Sequence, residues 1–190
     1  MSHASVISNL KLLIKQPITA NDPGDHIEHL INESDRSSII LHAALLEEML
    51  VAQLEKLMPT INGDERDRLF DFEGPLGSFS NRIRLSQALG VIDRATKKKA
   101  EVIKDLRNTA AHCHSRITFE TPEVQAAIAW LFDKPGDAFA NWTNIEVRDL
   151  FSVAVSSLAH VITSDDLEMN WTNLWNNAVA ANRARQSASH

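Results

Sequence analysis

The chain has 190 residues, 44% of them hydrophobic and 23% charged, which is enough for one sizeable core and excludes wholesale disorder. Its formal net charge of −6 argues against a protein that wraps nucleic acid through bulk electrostatics. One cysteine, Cys113, closes no internal disulfide and fits a reducing compartment. The first residues carry no basic head before a long apolar stretch, and the most apolar run, 150–162, is too short to cross a bilayer; a cytoplasmic location is therefore expected.

Val6, Ile7, Leu10, Leu13 and Ile14 recur at helical spacing and Pro17 stops them, predicting an N-terminal docking helix within residues 1–20. Asn21-Asp22-Pro23-Gly24 is a turn, with a second helix beginning near Asp25. His26 and His29 stand three apart, but no further ligand cluster accompanies them, so solvated histidines are expected and no metal. Residues 34–58 form a long helix that is apolar on every side, the natural central element. Glu47 and Glu48 have apolar neighbours at three and four residues, so at least one carboxylate needs a cationic partner; Arg82, Arg84 and Arg107 are the candidates for this structural ion pair. His42, in the same run, reads as a hydrogen-bonded core histidine.

Residues 59–67 read as a polar connection. The stretch Phe72-Glu73-Gly74-Pro75-Leu76-Gly77-Ser78-Phe79-Ser80 forces a tight turn, and Ser78 or Ser80 can cap the helix that follows. It lacks the spacing of a phosphate-binding Walker loop. That helix turns Ile83, Leu85, Ala88 and Leu89 inward and ends at Gly90; Asp93 opens the next.

The Asp93 helix is basic. Between Arg82 and Arg116 nine basic residues face three acidic ones, leaving −12 for the remainder. Lys97 to Lys99 point three ways around a helix, as a solvated face would. Ile103, Leu106 and Ala110 make the apolar stripe, with Arg107 on its border. Asn108 and His112, four apart, share a face, whereas Arg107 and His112 are separated by about 140° on an ideal helix. They converge only if the helix tightens, ends or meets a second copy. The plain reading is a basic helix end with a capping histidine; the functional one is a guanidinium and an imidazole presented outward.

Cys113-His114 offers no second cysteine and no converging ligands. Thr121-Pro122-Glu123 starts a helix that carries Val124, Ala127, Ile128 and Leu131, and 133–136 ends it. From Asn144 another apolar stripe runs through Val147, Leu150, Phe151, Ala154, Leu158 and Ile162. Trp171, Leu174, Trp175 and Ala178 form an aromatic face that must cover the body or a partner, which together with the basic motif predicts a homodimer. Residues 186–190 are expected to be disordered. The pattern gives an all-α, single-domain helical bundle with long central antiparallel helices and short peripheral ones: a docking helix in 1–20, a core in 21–165, and an amphipathic helix with a tail in 166–190.

Three blocks together resemble the mannitol operon repressor family of bacterial proteins. They are Glu33-Ser34-Asp35-Arg36 leading into Ala43-Ala44-Leu45-Leu46-Glu47-Glu48; Gly74-Pro75-Leu76-Gly77-Ser78-Phe79-Ser80-Asn81-Arg82-Ile83-Arg84-Leu85 through Ala88-Leu89-Gly90; and Arg107-Asn108 with Ala111-His112. The resemblance covers about residues 30–115 and implies a small helical protein that regulates sugar-alcohol uptake and use. No helix pair offers a recognition helix for DNA, so a transcriptional regulator of this kind is expected to act through a protein partner, with weak or indirect nucleic-acid contact and no cofactor. Its expected binding residues are Arg82, Arg84, Lys97, Lys98 and Arg107.

A second resemblance is chemical. Arg107-Asn108-Thr109-Ala110-Ala111-His112 resembles the Arg, polar residue, three residues, His signature of HEPN domains, helical bundles that often dimerise and in several cases cut RNA without metal. The resemblance implies that Arg107 binds the scissile phosphate, Asn108 orients it and His112 moves the proton of the 2′-hydroxyl. The alternative to the regulator is thus a metal-independent endoribonuclease or nucleotide-binding protein.

Overall fold

The computed structural model describes residues 2–14, 34–139, 142–164 and 170–188. The stop at Pro17, the turn at 21–24, the helix near Asp25, the His26 and His29 pair and Glu33 lie outside the described residues. The described residues form helices α1 (His3–Ile14), α2 (Ser34–Lys56), α3 (Gly63–Phe70), α4 (Phe79–Ala88), α5 (Arg94–His112), α6 (Pro122–Leu131), α7 (Asn144–Thr163) and α8 (Trp171–Ala188), with no strand among them. The protein is all-α.

Several helices start where a short polar side chain takes an orphan amide. Asp93 accepts from the Thr96 N–H at 2.7 Å and opens α5; Ser78 does the same for α4. Thr143 and Glu146 form a reciprocal box at α7, and Pro122 sets the first turn of α6. Two elements differ from expectation. Residues 59–67, read as a connection, contain most of α3, nucleated by a capping box of Asn62 and Glu65. The tail expected to be disordered from residue 186 continues the α8 helix to Ala188.

Helices α2, α5 and α7 pack around one core with Phe119, Phe132, Phe139 and Phe151 fully buried. Each such ring contributes about 1.5–3 kcal/mol. The start of α2 lies at the end of α5, so these two run antiparallel. Asp35 meets Arg148, and His42 meets Phe151 at 5.6 Å, so α2 and α7 share a direction. Among the described residues α2 is the helix long and apolar enough to cross a membrane, yet it packs on α4, α5 and α7 and carries ion pairs to Arg82 and Arg148. Helix α1 lies along α5 and α6, burying Val6 and Leu10.

Candidate functional site

The C-terminal end of α5 is held by a residue 74 to 79 positions earlier in the chain. The Arg36 guanidinium donates to the carbonyls of Ala110 at 2.8 Å, Cys113 at 3.0 Å and Ser115 at 3.0 Å. A delocalised cation there satisfies carbonyls that the helix leaves unpaired and complements its dipole. Its neighbour Asp35 is buried, pairs with Arg148 and accepts from the Phe119 N–H at 3.4 Å.

On this anchored end, Arg107 is half-buried and its guanidinium donates to Asn108 Oδ1 at 3.1 Å. His112 is exposed as the last residue of α5. The helix stays regular to His112, with Cys113 as its cap, so Arg107 and His112 point about 140° apart on one chain. Asn108 and His112 share a face. Cys113 is buried while His114 is exposed, and among the described residues no group of three His, Cys, Asp or Glu side chains could hold a metal.

The expected binding cations are dispersed. Arg82 is engaged inside the protein: it donates to Glu47 Oε1 at 2.7 Å, to the Leu76 carbonyl at 2.6 Å and to the Phe70 carbonyl at 2.8 Å. It ties the Gly-Pro turn to α2, and a Cβ on Gly74 or Gly77 would overlap the backbone at Arg68 to Leu69 or at Asp71 to Phe72. Glu48, by contrast, is exposed and lines a shallow groove with Glu55 and Arg66. Arg84 is exposed on α4, and Lys97 and Lys98 sit at the start of α5, ten and nine residues (about 14–15 Å) from Arg107. His42 is half-buried, its Nδ1–H within 2.8 Å of the Ser38 carbonyl.

The start of α5 opens onto a cleft that the sequence reading passed over. It has a volume of about 980 Å³, and its walls include Arg94, Lys98, Lys99, Trp130, Asp133 and Trp171. Lys99, taken as part of a solvated basic face, is only 6% exposed. Its ammonium donates to the Leu131 carbonyl, lies 3.5 Å from Asp133 Oδ2 and sits 4.3 Å from the Trp171 ring centroid. Burial pushes the Lys99 pKa below its ordinary value, and Asp133 opposes that shift. Asp133 itself holds φ of 57°, the left-handed position after α6 that glycine most often fills. At the rim, burial pushes the Asp93 carboxyl up, but hydrogen bonds from Thr96 and the Ala95 N–H outweigh it and hold it below the usual range.

The aromatic face of α8 covers this chain's own body. Trp171 and Trp175 meet Phe132 at 5.6 and 5.9 Å, and Trp175 stacks on Trp142 at 5.7 Å. Of the two roles expected for this face, covering the body or a partner, the packing shows the first, with Trp171 and Trp175 half-buried against the chain's own rings.

The class these features define is an all-α bundle with a long basic helix clamped between an aromatic cleft at one end and an arginine fork at the other. No protein-family model matches the chain, and no curated protein matches it in sequence. Its fold is similar to a chain of the X-ray structure of the MtlR–HPr complex from Escherichia coli, with a TM-score of 0.56 and 20% identity, covering 85% of this chain and 98% of that one.

Proposed function

We propose that this chain is a cytoplasmic transcriptional regulator of the mannitol operon repressor type, a homodimer that acts by binding a protein partner. The observation that carries this reading is the shared bundle across 85% of the chain with a protein solved in complex with HPr. The sequence blocks that resemble the repressor family support it, since their residues now have physical duties. Asp35 and Arg36 join the starts of α2 and α7 to the end of α5, and Arg82 with Glu47 locks the Gly-Pro turn. The partner surface is the cationic set of Arg84 and Lys98, which are exposed, with the half-buried Lys97 and Arg107. Arg82 drops from it because its donors are engaged internally. Contact with nucleic acid is weak or indirect, in keeping with a sequence in which no helix pair reads as a recognition helix for DNA.

Affinity capture of the tagged protein from its own cytoplasm, repeated with Arg84→Ala/Lys98→Ala, tests the reading. A specific partner lost in the double variant supports it; tight sequence-selective binding to operator duplex by the purified protein alone overturns the indirect route.

A second reading rests on the accessibility of the α5 end. His112 is exposed, while Asn108 on its face and Arg107 about 140° around the helix are half-buried, so a metal-independent ribonuclease using Arg107, Asn108 and His112 would pair the guanidinium of one copy with the imidazole of another. RNA cleavage in chelator that disappears in His112→Ala supports this activity; equal cleavage by both proteins, or none, removes it.

A further inference from the structure

We propose that the cleft between α5, α6 and α8 binds a small organic anion with a flat ring, such as a nucleotide-like phosphate monoester. Its volume of about 980 Å³ falls at the upper end of the ligand-pocket range, about 300–1,000 Å³. The charges inside it do not balance. Asp93 is engaged by the first turn of α5, and Asp133 faces Lys99. Arg94 and Lys98 are exposed at the rim and form no ion pair among the described residues. A ligand entering the cleft therefore meets two cations with no ion-pair partner among the described residues, backed by a third, Lys99, at the wall.

The helix end is not what holds the anion. Asp93 caps α5, and Asn170 Oδ1 accepts from the Asn173 N–H at 2.9 Å at the start of α8. The side chains of Arg94 and Lys98 carry the contact, with Thr172 beside them as a hydroxyl donor. The apolar wall is made mainly of the half-buried Trp130 and Trp171. Flat, polarisable indole surface beside cations is the chemistry that accepts a ring attached to a phosphate. Lys99 keeps the two indoles in place: its ammonium lies 5.6 Å from the Trp130 ring and 4.3 Å from the Trp171 ring.

The site lies at the opposite end of α5 from Arg107 and His112, so its fate is independent of the ribonuclease reading. The test is titration of the full chain with adenosine monophosphate, adenosine and inorganic phosphate, followed by calorimetry and indole fluorescence. The monophosphate is expected to bind at least tenfold more tightly than either fragment and to alter the indole emission. Arg94→Ala/Lys98→Ala, at exposed positions, is expected to keep its helical circular dichroism and lose at least tenfold in affinity, while Lys56→Ala binds like the parent. No binding of the monophosphate, inorganic phosphate binding as tightly as the monophosphate, or undiminished binding in the double variant each overturns the proposal.

Discussion

Lys99 shows how one residue's environment changes its chemistry. Stepping back four from Ile103 along the α5 stripe lands on Lys99, so the inward phase was present in the sequence. The run of three lysines hid it, because such runs are ordinarily solvated. In the native state the Lys99 pKa lies below the ordinary 10.5, so between those values the unfolded chain binds a proton that the native one has released. Stability owed to this group rises with pH across that window and is lost as pH falls through the native value. Lys99→Met, which keeps the stem's packing and removes the charge, is expected to flatten the alkaline limb; urea midpoints measured from pH 7 to 10.5 in both proteins check it. Matching slopes would place the ammonium in water. Arg36 was legible as part of a motif but not as a clamp, since its acceptors lie 74 to 79 residues away and no local pattern encodes that distance.

At the level of helices, periodicity located every element with a continuous apolar stripe and missed the one without. Helix α3, Gly-Asp-Glu-Arg-Asp-Arg-Leu-Phe, buries only Phe70, so its hydrophobic pattern is silent. The readable signal was Asn62 followed three residues later by Glu65. Because the cap does much of the specifying here, Asn62→Ala is expected to cost about 1 kcal/mol and to raise amide exchange in residues 63–70 first. Protection unchanged in that segment would mean that Phe70 and the ion pair of Arg66 with Glu55 suffice. Similarly, residues 186–188 stay helical although Ser187 and Ala188 are exposed, because alanine and glutamine propagate a helix once it is started.

For the molecule as a whole, the all-α class followed from the absence of alternating apolar runs, whereas the use of each face did not follow. Spacing said that the Trp171 and Trp175 face must be covered; only packing reveals that Phe132, Phe139 and Trp142 cover it. Among the described residues, one apolar surface left for a second copy is the outer side of α2, where Leu41 is 68% and Leu45 41% exposed. If the homodimer forms there, Leu41→Glu is expected to halve the mass seen by light scattering at micromolar concentration, with helicity intact; a monomeric parent refutes the dimer. The berth of α1 has a different consequence. Thr109 reaches the Leu10 carbonyl across 99 residues of chain, so the groove that shelters Val6 and Leu10 is completed long after those side chains leave the ribosome. At about 5–20 residues per second, the nascent amphipathic segment waits several seconds for its seat, a window in which chaperones would meet it first.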